Sequence, residues 1–156
     1  MTAVTLRQFL LLILCLAGTG VGHARDLLYV RLGAEAGVKA IADTLVDRVS
    51  VDPLTGPSFQ GANLKRIKRL LAEQICELSG GPCRYSGDSM KEVHEGHHIS
   101  QAQFYRVVGT LRDVLRERRV DQRSTNELLR LLAPMKRDIV EPAQKRGAPH
   151  APTPTP

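Results

Sequence analysis

Residues 89–103, SMKEVHEGHHISQAQ, hold three of the chain's five histidines, His94, His97 and His98, between two serine-headed motifs. Ser89-Met90-Lys91-Glu92 and Ser100-Gln101-Ala102-Gln103 each have the form of a capping box. In such a box the serine hydroxyl accepts from the amide three residues on, while the Glu or Gln side chain returns to the serine's own amide. Two helix starts so close together leave room for one short helix from Met90, ending near Gly96. His94 therefore rides on that helix, one turn after Met90 and beside Val93, and shares an apolar face with Met90. His97 and His98 fall in the turn before the next helix. What looks like a three-histidine metal cluster is split by its own punctuation.

The helical reading extends outward from this stretch. Upstream, Val38, Ile41, Leu45, Val46 and Val49 recur at helical spacing until Asp52-Pro53 stops the run. Leu64, Ile67, Leu71, Ile75 and Leu78 then form one stripe, closed by Gly80-Gly81-Pro82. Downstream, Phe104, Val107, Val108, Leu111 and Leu115 continue the helix opened at Ser100. A third box, Ser124-Thr125-Asn126-Glu127, predicts the start of a last helix bearing Leu128, Leu131, Leu132, Met135 and Ile139, kinked at Pro134. No stretch alternates with period two over strand length, so the fold class is all-α.

The two ends stand apart from this core. Residues 1–24 show Arg7, an apolar run from Phe9 to Ala17 and then small residues up to Gly22-His23-Ala24, the layout of a secretory signal peptide cleaved after Ala24. The run is shorter than the roughly 20 apolar residues that span a bilayer, so no stable membrane insertion is expected after cleavage. Export then places the protein in a bacterial periplasm. Residues 142–156 alternate proline with small and basic residues and read as a disordered, Pro-rich tail. One compact domain, residues 26–141, remains.

The net charge of +6 raises the question of a nucleic-acid partner. In the core, however, the basic residues are interleaved with acids, as in RDVLRERRVDQR (112–123), and aromatics are few, so a solvated helix face is the reading and no nucleic-acid binding is expected. Without Cys15 two cysteines are left, Cys76 and Cys83. In an oxidising compartment they could close a short-loop disulfide across Gly80-Gly81-Pro82, or remain two partly buried thiols; spacing alone leaves both open. Neither has the C-x-x-C spacing of a zinc site.

A lone histidine on an apolar face is more often a hydrogen-bonded core residue than a ligand. An apolar cleft facing the imidazole would reverse that balance, because one neutral nitrogen is enough to hold a haem iron axially. Ile67, Leu71 and Ile75 from one helix, with Phe104 and Val107 from another, supply walls for such a cleft or for an ordinary core.

The strings LYVRLGAEAGVKAIADTLVDRV (28–49), DPLTGPSFQGANLKRIKRLLAEQICELSGGPCRYSG (52–87), MKEVHEGHHIS (90–100) and LLAPMKRDIV (131–140), in this order, closely resemble the truncated haemoglobins of the first group. GGPCRYSG followed by MKEVH carries most of the specificity. The resemblance implies a shortened globin with a two-over-two helical sandwich, a haem b cofactor, and His94 as the proximal ligand of the iron. It also implies that Phe59 packs on the porphyrin, that Leu64, Ile67 and Leu71 line the distal side, and that Tyr85 lies near the haem edge. Met90, Ile99, Phe104 and Val107 match further pocket positions. Lys68, Arg69 and Arg84 are candidates to pair with the propionates, chosen on charge.

The departures from the family pattern bear on activity. Most members carry a tyrosine in the first long helix, often with a glutamine on the facing helix, to donate a hydrogen bond to bound oxygen. Here Val46 and Leu71 stand at those positions, with Ile67 between haem and solvent, so the distal pocket is expected to lack a protein donor. A hydrogen bond to a charged group contributes roughly 1.5 to 3 kcal/mol, so its loss should weaken oxygen retention about ten- to a hundredfold, and carbon monoxide or nitric oxide binding less. A second departure is Gly33-Ala34 where the family has paired glycines; if Ala34 takes a positive φ this costs about 1 kcal/mol, and a shifted corner is the cheaper solution.

Three functions compete. The first is a haem protein that reversibly binds oxygen, nitric oxide or carbon monoxide. The second is a haem enzyme at the same iron, served by a reductase, that detoxifies nitric oxide or reduces nitrogen oxides or peroxide; such chemistry needs polar groups aimed at developing charge. The third is a helical interaction module without haem, in which His94 is a plain core residue.

Overall fold

A computed structural model describes residues 27–141; the signal-peptide layout expected at residues 1–24 and the Pro-rich tail expected at residues 142–156 lie outside the described residues. Within them the chain forms helices and turns and no strand. In chain order these are α1 (Leu28–Arg31), α2 (Ala34–Val51), a 3₁₀ turn (Gly56–Phe59), α3 (Leu64–Leu78), α4 (Met90–His94), α5 (Gln101–Glu117), α6 (Gln122–Leu132), a 3₁₀ turn (Ala133–Met135) and α7 (Lys136–Ile139).

The apolar stripes meet as their spacing requires. Helix α2 packs on both α3 and α5, and α6 closes against α1, α3 and α5, giving two layers of two helices. Their shared core holds Val38, Ile41, Leu45 and Val49 from α2, Ile75 and Cys76 from α3, Leu111, Val114 and Leu115 from α5 and Leu128 from α6. Ile41, Ile75, Leu115 and Leu128 have no exposed surface, and burying each such side chain stabilises the fold by about 1.5 to 3 kcal/mol.

Helix α1 turns sharply into α2 through two consecutive left-handed residues, Gly33 (φ 92°) and Ala34 (φ 52°). The strained solution is therefore the one adopted. The corner is tight because a Cβ on Gly37 would lie 2.0 Å from the Leu32 carbonyl oxygen, and only glycine lets the two segments approach this closely.

The third capping box does not form. Helix α6 begins at Gln122, and Asp121 is its N-cap, accepting from the Ser124 amide at 2.9 Å. Ser124 is instead fully buried inside the first turn, donating to Asp121 Oδ2 at 2.7 Å and accepting from Arg31 Nε at 2.9 Å. Glu127 does not fold back to the cap but pairs with Arg31 of α1. An aspartate three residues ahead of the serine satisfies the same orphan amides one turn earlier and draws the helix start with it. Pro134 does more than kink a single helix: a 3₁₀ turn at Ala133–Met135 separates α6 from α7, because proline lacks the amide the ladder needs.

Cys76 and Cys83 are joined in a disulfide, their Cα atoms 5.7 Å apart. No described helix is long and apolar enough to cross a membrane.

The left-handed Ala34 gives a direct test. Ala34→Gly should stabilise the domain by about 1 kcal/mol in urea unfolding, since glycine reaches positive φ without a Cβ clash. A lower midpoint in the variant would show that the corner is not strained.

Candidate functional site

Both remaining capping boxes form and set the length of α4. Ser89 Oγ accepts from the Glu92 amide at 3.2 Å while Glu92 accepts from the Ser89 amide at 2.9 Å. The Ser100–Gln103 pair repeats this at 3.2 and 2.9 Å. Between them α4 ends at His94, and the chain reverses through positive φ at Gly96 and His98.

At the last residue of α4, His94 Nδ1 lies 2.8 Å from the Met90 carbonyl oxygen. A carbonyl can only accept, so Nδ1 carries the proton and donates it. Nε2 is then the bare nitrogen, with its lone pair available. Burial holds the His94 pKa below the ordinary imidazole range, against the Met90 carbonyl, which favours the charged ring, and together with nearby His97, which disfavours it. The ring is thus neutral and presents one basic nitrogen.

His94 faces a cavity of about 870 Å³ at the seam between the layers, a size within the roughly 300 to 1,000 Å³ range of cofactor pockets. Its walls are apolar: Leu45, Val46 and Val49 from α2, Phe59 from the first 3₁₀ turn, Ile67, Leu70 and Leu71 from α3, and Phe104, Val107 and Leu111 from α5. Tyr85, Met90 and Ile99 complete it, and the Tyr85 hydroxyl is turned to the Asp88 carbonyl oxygen at 2.9 Å. Ten of the positions named from the sequence thus come together here: Val46, Phe59, Ile67, Leu71, Tyr85, Met90, His94, Ile99, Phe104 and Val107.

Other expected positions do not join them. Leu64 and Lys68 lie off the cavity wall, and Lys68 pairs with Asp47 of α2. Arg69 pairs with Glu73 and donates to Ser86 Oγ at 3.0 Å, while Arg84 lies 3.8 Å from Glu77 with its side chain 92% exposed. Three cations do reach the wall: Arg66, with Asp88 3.9 Å away, Arg112 and Lys136. His97 also borders the cavity from the turn, whereas His98 bonds Glu141 at 2.8 Å. Among the described residues, no group of three or more His, Cys, Asp or Glu side chains could hold a metal ion.

The sequence reading misses polar side chains on the cavity wall, of which Thr55 and Gln74 are buried. The Thr55 hydroxyl donates to the Val49 carbonyl at 2.6 Å. Gln74 Nε2 points at the Met90 sulfur, 3.5 Å away, a weak acceptor. Helical phase could have revealed both Arg66 and Gln74, because Asn63, Arg66, Ile67, Leu70, Leu71 and Gln74 fall on one face of α3. Lys68 and Arg69 fall off it.

The family profile of bacterial-like globins matches residues 27–141. The chain belongs to this family. It is 31% identical over 112 residues to the group 1 truncated haemoglobin GlbN of Mycolicibacterium paratuberculosis, covering 72% of this chain and 82% of that protein. Its fold is similar to the truncated haemoglobin of Tetrahymena pyriformis in the Fe(III) form, with a TM-score of 0.69, 24% identity and coverage of 72% of this chain and 97% of that one. It is also similar to the 2/2 haemoglobin of Synechococcus, solved in the cyanomet state with covalently attached haem, with a TM-score of 0.68, 21% identity and coverage of 74% and 98%. The chain is accordingly a two-over-two truncated globin of group 1.

In this truncated globin the depressed pKa of His94 has a measurable consequence. The unfolded chain, with an imidazole pKa near 6.5, binds a proton that the folded site refuses. Folded-state stability is therefore lost as pH falls through about 6.5, and the loss levels off below the depressed folded value. Asp52 and Asp121 act in a separate window: Arg106 and Ser124, respectively, hold their carboxyls below the ordinary range, so their contribution is lost as pH falls from about 3.8 through those lower values. Between about pH 7.5 and 5.5, the urea midpoint of haem-free protein should fall more for the wild type than for His94→Leu. Parallel decreases would contradict a neutral, desolvated His94.

Proposed function

We propose that this globin binds haem b through His94 Nε2 and carries a diatomic gas reversibly. The observation that bears the reading is the bond from His94 Nδ1–H to the Met90 carbonyl, which fixes the tautomer an axial ligand needs and aims the bare nitrogen at an apolar, cofactor-sized cavity. The residues present fit the group: a planar apolar macrocycle matches walls of Phe59, Ile67, Leu71, Phe104 and Val107, and its carboxylates match the Arg66 guanidinium. Haem, when bound, supplies an iron centre with an open position for oxygen, nitric oxide or carbon monoxide.

The chain's own residues set the selectivity. Val46 and Leu71 offer no hydrogen bond to a polarised ligand, so retention of oxygen is weak relative to that of carbon monoxide. The layout of residues 1–24 supports export as part of the same proposal.

Visible spectra of the full chain after haem reconstitution, with and without dithionite, test the reading. A Soret band that shifts on reduction is expected, lost in His94→Ala and retained in His97→Ala and His98→Ala. No band in the wild type would sink the proposal, and loss in either neighbouring variant would move the ligand. Val46→Tyr should slow oxygen dissociation roughly ten- to a hundredfold; an unchanged rate would mean that another side chain, with Gln74 the first to examine, already serves the ligand.

A further inference from the structure

Helix α4 buries none of its residues, and its main helical packing is against the short α7. The ligand-bearing segment therefore depends for its position on the chain that delivers it. That chain, residues 79–89, is tied back to α3 at its start by the Cys76–Cys83 bond. Further along, its ties are polar and solvent-exposed: the Tyr85 amide donates to Glu77 at 3.1 Å, and the Ser86 amide and hydroxyl donate to Glu73 at 3.1 and 2.7 Å. Exposed bonds of this kind hold weakly.

The disulfide end is packed tightly. Cys76 is 2% exposed, part of the core, and next in the chain to the cavity-lining Ile75. The Gly81 amide donates to the Cys76 carbonyl at 2.8 Å, and a Cβ on Gly81 would lie 2.5 Å from Cys76 Sγ and 2.7 Å from the Tyr29 ring. The covalent tie thus joins the cavity wall to the loop that carries Tyr85 and leads into His94. Cys83, unlike Cys76, is partly exposed.

We propose that the Cys76–Cys83 pair is a thiol–disulfide control of haem retention, an inference that rests on the haem reading above. Oxidised, the pair holds Tyr85 and the approach to α4 in register with the cavity wall. Reduction releases them and lets His94 swing from its ligating position. The reductant is a dithiol. One of its thiolates attacks the accessible Cys83 Sγ, the bond to Cys76 breaks, and Cys76 Sγ leaves with the electron pair and takes a proton. The second thiol resolves the mixed disulfide, so two electrons and two protons pass to the protein and the dithiol becomes a disulfide.

The test uses the haem-loaded full chain in the ferric form, either untreated or reduced with dithiothreitol and desalted without oxygen, with a gain of two titratable thiols confirming reduction. Haem transfer to excess apomyoglobin is followed at the Soret band. The reduced protein should lose haem roughly tenfold or more faster, as when a partner that orients a metal ligand is removed. Reoxidation should restore the slow rate, and Cys83→Ala should be fast under both conditions. In the ferrous, ligand-free protein, the iron–histidine stretching band in resonance Raman should shift or broaden on reduction of the pair. Equal transfer rates with two thiols gained would overturn the inference, and so would faster transfer with an unmoved iron–histidine band, which describes a general staple. If Cys83→Ala fails to fold, the oxidised and reduced wild type still decide. Absence of a Soret band in the untreated chain would instead defeat the haem reading itself.

Discussion

One hydrogen bond across a single helical turn, from His94 Nδ1–H to the Met90 carbonyl 2.8 Å away, governs what the cavity can do. With that proton fixed, the other ring nitrogen is basic and unhindered; with the tautomer reversed, the imidazole would offer a donor to an apolar space. The bond exists because α4 is five residues long, and α4 is that short because two capping boxes bracket it. A local rule about orphan amides thus sets the chemistry of a site assembled from across the domain.

The remaining architecture serves to build the apolar half of this arrangement. Two helical layers bury Ile41, Ile75, Leu115 and Leu128 between them and leave the cavity at their seam. Surface ion pairs such as Arg48–Glu117 and Arg116–Asp113 are exposed and contribute little to stability. The left-handed Ala34 and the glycine at position 37 are local concessions that let α1 fold back on α2.

Much of this was legible in the residues, and the failures have physical causes. Periodicity placed α2, α3 and α5 because their stripes are long, with α2 and α3 closed by Pro or Gly and α5 opened by a capping box. The capping boxes around His94 held, each with both of its reciprocal bonds in place. The box at Ser124 failed because Asp121, an equally good cap, lies one turn ahead and the buried Ser124 hydroxyl has a partner in Arg31. Lys68, Arg69 and Arg84 were chosen by charge, which says nothing of direction, whereas Arg66 lies in phase with Ile67 and Leu70. The disulfide could not be decided from spacing, since pairing depends on a Cα separation that only the fold supplies.

The claim that His94 binds through Nε2 while Nδ1 keeps its proton can be read directly by NMR. In the ferric, cyanide-saturated, haem-loaded full chain with ¹⁵N-labelled histidine, one ring N–H resonance should be strongly shifted by the iron, assigned to His94 by its absence in His94→Gln, and protected from solvent exchange by the Met90 carbonyl. A shifted resonance that belongs to His97 or His98, or a His94 ring whose proton sits on Nε2, would contradict the account.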